Sequence, residues 1–527
     1  MKTKFLLFFA LFAISAKAQN IEVFGNQSGV WEADTVFVTG DVLVRDSLYI
    51  TAGTTVLFND FYSIKVEKNA RLNALGTASD SILFTVADTS GFHIFDAGRG
   101  GWNGIQLNTA GQSQFDFCRF QYGKAALDDE QDGGALRIAN CNSVEISNST
   151  MYCNFSREHG GALNAENSKV VIRDCCISNN LTYSLIDTIY FMYGGGLRFL
   201  KCEVDISDTD FSYNYGESAI GGALSIDSCM INIDRCRFEH NYGINGAGLY
   251  MIRCYDDPCS ITNSLFANNT SGHFGGGLAI CDSSPMISNI TVVGNHSIGV
   301  NCGGIFFYQQ SSPVLWNCIV HGNTNYALLD KPIQMWAWVF EGYAPEFHNC
   351  VVEFGLENIS GHEYIHTFEN CYDTDPLFAA PNEQNYRLGF DSPCIESGSP
   401  DTPETILNGF DLDGNPRVAG SRIDIGAYEF ASVNVQESTQ NQLQLQIIGN
   451  PITVSSYAEI KCENACNLVA KVYTIDGKLL VNKNVGKSQT GINRIEIGEW
   501  FQNLTSGTYL LVIGMPEKPF VAKIVKQ

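Results

Sequence analysis

Two carboxylate clusters, Asp128-Asp129-Glu130 and Asp256-Asp257, are where acid and base chemistry could first reside in this sequence. Glycoside hydrolysis takes two carboxyl groups facing each other across a cleft, about 5 Å apart for retention or about 6.5 to 9.5 Å for inversion. Both clusters fall in segments that read as solvated turns. Elimination on a uronate would need a basic face and a Lys, Arg or Tyr as base. Arg137, Arg173, Arg198 and Arg235 are scattered, and 32 basic side chains stand against 56 acidic ones, a formal charge of -24. That acidity also argues against nucleic acid and anionic membrane as partners. His159, beside Gly160, reads as an exposed turn residue. His240 and His321 stand one and two residues before an asparagine that marks one position of a repeat, which suggests structural placement rather than a dyad. The set assigns no catalytic residue, and catalysis is its lesser reading.

Aromatic rings offer binding instead. Tyr190, Phe191, Tyr193, Tyr213, Tyr215, Tyr242 and Tyr250 gather around an inserted segment, and Trp336 and Trp338 lie in what reads as a second insertion between Asn323 and Asn349. Exposed rings stack on sugars or dock a protein, whereas the plainer alternative is packing of the insertions against the wall behind them. Tyr190, Tyr193, Tyr213, Tyr215, Tyr242, Trp336 and Trp338 are the candidate ligand contacts. Asp411, Asp413 and Asn415 alternate as calcium ligands do. An EF-hand loop, however, has Gly sixth and Glu twelfth, where this stretch has Gly414 fourth and Arg422 twelfth, so calcium is a minor expectation. The cysteines show no CxxC pairs followed by suitably spaced His or Cys, so no cysteine zinc site and no other cofactor is expected.

The elements that must position these residues repeat. A Gly-rich triplet plus one aliphatic residue ends at Leu136, Leu163, Leu197, Leu224, Leu249, Leu278 and Ile305, in steps of 27, 34, 27, 25, 29 and 27 residues. An apolar residue with Asn three positions later falls at Met151/Asn154, Ile177/Asn180, Phe211/Asn214, Phe238/Asn241, Phe266/Asn269, Val292/Asn295 and Val320/Asn323. Both series take their one long step at the same place, so residues 181–193 are an insertion that leaves the phase intact. Between the marks run short Val/Ile-rich segments of period two, such as Val144-Glu145-Ile146-Ser147 and Val170-Val171-Ile172-Arg173, with no helical stripe. The pattern predicts a parallel β-solenoid, each coil burying its apolar side chains against the next.

Aligned coils expose further columns. Asn148, Asp174, Asp208, Asn263, Asn289, Asn317, Asn349 and Asn370, with Arg235 the exception, are expected to brace turns and hydrogen-bond along the stack as an asparagine ladder. One column holds Cys118, Ser149, Cys175, Thr209, Cys236, Ser264, Ile290, Cys318, Cys350 and Cys371; another holds Cys141, Ser168, Cys202, Cys229, Cys254 and Ser283. Interchange with Ser and Thr favours slots for small buried side chains over vertical bridges such as Cys202 to Cys229.

The termini indicate export. Met1 to Lys4 carries two lysines, Phe5 to Ile14 is apolar, and Ala16-Lys17-Ala18 offers a cleavage site, which together read as a signal peptide over 1–18. No later run is long enough to span a membrane. Gly101-Trp102-Asn103-Gly104-Ile105 resembles the first full coil of extracellular right-handed parallel β-helix proteins, and the paired marks are similar to the polymorphic outer-membrane protein repeat, which implies display and adhesion. That resemblance covers roughly residues 98–325. Asp375-Pro376-Leu377-Phe378, Tyr386-Arg387-Leu388, Ser392-Pro393-Cys394-Ile395, Asp411 to Arg417 and Ile423 to Glu429 resemble the choice-of-anchor Q module, which implies a cap on the last coil. Asn450-Pro451, Ala470 to Lys478, Gly491-Ile492-Asn493, Ser506 to Leu510 and Lys523 to Lys526 resemble the type A sorting domain of the type IX secretion system, which implies that machinery as a partner and a secreted or surface-attached product. Cys462 and Cys466 depart from that pattern.

The expectation is thus all-β, a right-handed parallel β-helix followed by a small β-sandwich. Its parts are opening coils over 19–97, repeats over 98–372, a closing module over 373–432, a linker over 433–444 and the sorting domain over 445–527. Adhesion or glycan contact is the expected role, with a polysaccharide lyase or glycoside hydrolase as the alternative.

Overall fold

The computed structural model describes residues 18–94, 98–127, 131–183, 192–217, 219–255, 259–299, 301–326, 332–402, 409–430, 445–448, 452–454, 456–462, 467–474, 478–515 and 518–526. The leader up to residue 17, the clusters at 128–130 and 256–257, Tyr190, Phe191, Cys466 and the linker lie outside them. The chain divides into two compact units, Met1–Ala431 and Ser432–Gln527.

The first unit is a parallel β-helix built on one 34-stranded sheet. Each repeat supplies three short strands, and equivalent residues pair from coil to coil. Leu136 pairs with Leu163, which pairs with Leu197, then Leu224, Leu249, Leu278 and Ile305. The register carries across the insertion, as the common long step requires. Alternation puts one side chain in and the next out. The second strand therefore buries Ile146, Ile172, Ile206, Ile233 and Ile261 in one column. In the third strand Phe211, Phe238 and Phe266 stack with ring centroids 4.6 Å apart. Trp102 lies in the lower part of the core, fully buried and stacked 4.5 Å from Phe58.

The glycines mark a corner where chain meets chain. Gly194 takes φ +71°, and a Cβ on Gly195 would sit 2.2 Å from the Gly222 carbonyl oxygen of the next coil.

The asparagine ladder exists, but on a different column from the one expected. Asn148, Asp174, Asp208, Asn263, Asn289 and Asn317 all hold left-handed φ between 48° and 53° at the second corner, so backbone geometry explains that column. The continuous ladder runs through the mark asparagines. Asn154 Nδ2 donates to Asn180 Oδ1 at 2.9 Å, and the relay continues through Asn214, Asn241, Asn269, Asn295 and Asn323. Gln334 Oε1 accepts the last link at 3.0 Å, and its Nε2 donates to Glu353 Oε2 at 2.8 Å. At the inward-turned mark position both ends of the amide find partners away from water, coil after coil.

The column cysteines are free thiols. Their Ser and Thr neighbours show why the residues interchange. Ser149 Oγ accepts the Cys118 N–H at 2.9 Å and donates to the Ser147 carbonyl at 2.6 Å, while Cys236 Sγ donates to the Asp234 carbonyl at 3.4 Å. The slot needs one short side chain that both donates and accepts.

Met335–Val339 pairs in register with Ile305–Gln309, so Trp336 and Trp338 belong to a regular coil and not to an insertion. Residues 356–365 belong to the last coil, where Ser360 bridges Trp336, and they bury Ile359 and Ile365 in the main core. The closing module lies along the side of the third strands, because their outward positions turn apolar there. Leu265, Ala267 and Val293 pack on Tyr386, Leu412 and Tyr428, and Ile319 and Val351 pack on Leu388, Cys394 and Ile425. Asn289 Nδ2 donates to the Asp424 carbonyl at 3.0 Å, and Asn317 Nδ2 to Thr402 Oγ1 at 2.8 Å. At its centre Arg417, fully buried, meets Glu429 at 3.2 Å.

The second unit is an antiparallel sandwich. One sheet pairs Leu445–Ile448, Tyr457–Cys462 and Gly491–Glu496. The other pairs Leu479–Lys487, Asn467–Thr474, Gly507–Met515 and Lys518–Lys526. Ile460, Val472, Phe501, Leu511 and Ile513 lie in the core between them.

Candidate functional site

Alternation sends every second residue of the first strand outward, so that face is a column of side chains rising one coil at a time. Low on it stand Arg137, Asn164 with Glu166, Arg198, and Ser225 with Asp227; higher up stand Tyr250, Ala279 with Cys281, Phe306 with Tyr308, and Trp336 with Trp338. The face changes from charged to aromatic over four coils.

The lower part is a polar cluster. Asp132, His159 and Tyr193 each precede the first glycine of a mark and so stack in successive coils, with the Gly133 N–H donating to His159 O and the Gly160 N–H to Tyr193 O. His159 is not the exposed turn residue expected. It is partly buried, its ring lies 5.6 Å from that of Tyr193, and Nδ1 accepts the Tyr193 N–H at 3.3 Å. Burial, seconded by the positive charge of Arg198, holds its basicity down to about 4. Burial lifts the Asp132 carboxyl to about 6 against the pull of Arg137 and Arg198. One oxygen of that carboxylate, Oδ1, is shielded from solvent and has no hydrogen-bond partner. Arg198 donates to Glu166 at 2.6 Å and to Asn164 at 3.0 Å, which ties up the carboxylate that a second catalytic acid would have to supply. Asp132, Glu158 and His159 offer metal-ligating atoms that all lie within 4.8 Å of one another.

The upper part is aromatic. Tyr250 and Phe306 are buried beneath Ile220, Cys302 and Ile333, and Tyr193 and Trp336 pack on the same cluster. At its end Trp338 is 50% exposed, 6.0 Å from Trp336 and edge-on to Tyr308 at 5.6 Å, and Phe340 beside it is 49% exposed. Of the candidate aromatics, Tyr193, Trp336 and Trp338 thus share one face. The other described candidates stand elsewhere. Tyr213 stacks on His240 at 4.9 Å, and Tyr215 stacks on Tyr242 at 4.7 Å in the separate eight-stranded sheet. His240 contacts Gln384 at 3.0 Å and His321 faces Glu353 at 3.8 Å, so the two are independent of each other.

The acidic turn of the closing module uses its own oxygens. Asp411 Oδ1 accepts the N–H groups of Asp413 and Asn415 at 3.0 and 2.6 Å, and both Asp413 oxygens accept from Arg387. The second strands carry ion pairs between coils, Lys169 with Glu203 and Arg173 with Asp205, lining a shallow groove of about 390 Å³.

Residues 85–254 and, overlapping them, 187–330 match the family model described as the right handed beta helix region. No curated protein matches the chain. The matched span covers the middle coils of the parallel stack, and the first unit is accordingly a right-handed parallel β-helix.

Proposed function

We propose that this is a non-catalytic, exported β-helix that holds a glycan against the upper, aromatic part of its first-strand face. The observation that carries the reading is Trp338, half-exposed, backed by Trp336 and flanked by Tyr308 and Phe340, a flat apolar platform at the rim of a polar wall. Sugar rings have apolar faces that stack on such platforms while their hydroxyls stay wet. The apolar leader and the antiparallel sandwich of the second unit support export through a type IX secretion system, with the product released or attached at the surface.

The test is retention on a panel of soluble and insoluble polysaccharides, comparing the full chain with Trp338→Ala. One lost stacking contact is worth about 1.4 kcal/mol, so affinity for the retained glycan falls about tenfold. Equal retention of the variant, or no retention on any polysaccharide, overturns the proposal. Release of sugars or unsaturated products would replace it with a lyase or hydrolase.

A further inference from the structure

We propose that Asp132, Glu158 and His159 form a binding site for one divalent transition cation of the zinc class, separate from the aromatic platform. Three observations meet here. The first is geometric. The ligating atoms lie within 4.8 Å of one another, so an ion equidistant from them would be at most about 2.8 Å from each, and side-chain shifts of about 0.7 Å reach the usual 2.0–2.2 Å. The second is the Asp132 Oδ1 atom, shielded from solvent and without a hydrogen-bond donor. A buried carboxylate oxygen left in this way is costly unless a cation or proton meets it. The third is the placement of His159. Its Nδ1 accepts the Tyr193 N–H over a long 3.3 Å, a contact that a metal bond readily replaces.

The surroundings fit a bound cation. Arg198, one of the two arginines whose charge acts on Asp132, is engaged by Glu166 and Asn164. Glu158 is exposed and gives the ion a path from solvent, while Asp132 and His159 hold it from the inner side. A set of one imidazole and two carboxylates selects zinc or a neighbouring transition ion over calcium, which takes six to eight oxygens. Three protein ligands leave a coordination position for water or a hydroxyl of a bound molecule.

The experiment is equilibrium dialysis of the full chain against Zn²⁺, with bound metal measured by elemental analysis, for the wild type, Asp132→Asn and His159→Ala. The expected result is one equivalent bound by the wild type and at least a tenfold weaker affinity in each variant. Both variants keep every cysteine, so zinc held by thiols survives the substitutions. No zinc bound by the wild type, or equal binding in all three proteins, overturns the site. Co²⁺ provides a second readout on the wild type alone: visible absorption bands of a nitrogen- and oxygen-ligated ion support the site, and thiolate charge-transfer bands in their place refute it.

Discussion

Replacing Asn241 by Ala should cost the β-helix about 3 to 6 kcal/mol. The Asn241 side chain, 1% exposed, makes four hydrogen bonds. Nδ2 donates to Asn269 Oδ1 and to the Phe211 carbonyl, each at 2.9 Å, and Oδ1 accepts the Asn214 backbone N–H and its Nδ2, each at 3.0 Å. Truncation orphans the Asn214 N–H, one Asn214 amide hydrogen and the Phe211 carbonyl, all inside the coil, at about 1 to 3 kcal/mol apiece, and a water entering the new space offsets part of the sum. Asn148→Ala is the matched control. Asn148 is exposed and donates one bond, to Asp116 at 2.8 Å, so its replacement costs chiefly the left-handed backbone of a non-glycine residue, about 1 kcal/mol. Urea unfolding of the full chain, followed by tryptophan fluorescence, measures both, and hydrogen exchange at the Asn214 amide reports the local breach directly. If Asn241→Ala loses no more stability than Asn148→Ala, the amide relay is not the main polar support of the stack.

Two further outcomes follow from the packing. Cys236→Ser should change stability by less than about 1 kcal/mol, since Ser264 fills the same slot one coil away, whereas Cys236→Val leaves the Thr209 N–H without its sulfur acceptor and costs about 1 to 3 kcal/mol; equal costs for the two would refute the slot. Glu429, buried beside Arg417 and Asp424, is raised from 4.5 to about 8, chiefly by burial, so its contribution is fully present below pH 4.5 and is lost as pH rises through 8. The urea midpoint should fall over that window, and Glu429→Gln should flatten the decline; an unchanged pH slope in the variant would contradict the assignment.

The strands and their phase were legible in the sequence because period two and a period near 27 both leave marks that a reader can align. Leu163, Leu197 and Leu224 stack as that alignment requires. The ladder was misplaced because Asn154, Asn180 and Asn214 served as the ruler and so were not themselves weighed as bonding groups. What covers the outside of a coil was harder to see. The outward pair of the third strand changes from Asp210/Ser212 to Arg237/Glu239 and then to Leu265/Ala267, a switch that announces a covering layer once inward and outward positions are known. Asp132, His159 and Tyr193 went unread as a group for a related reason. They share the position before a mark glycine, but their chemical types differ, and only stacking makes them neighbours.

The module laid along the third strands has a consequence for how the chain reaches its native form. Its partners stand far back in the chain: Asp424 receives Asn289 from 135 residues away, and the Leu412 carbonyl receives Arg237 from 175 residues away. These bonds span several coils at once, so they can close only after those coils have settled in correct register. A slip by one coil would shift every partner by one strand spacing and leave Arg237, Asn289 and Asn317 opposite the wrong groups. The last part of the first unit to be synthesised therefore acts as an inspector of the earlier part, fastening well-ordered coils and leaving slipped ones unlatched.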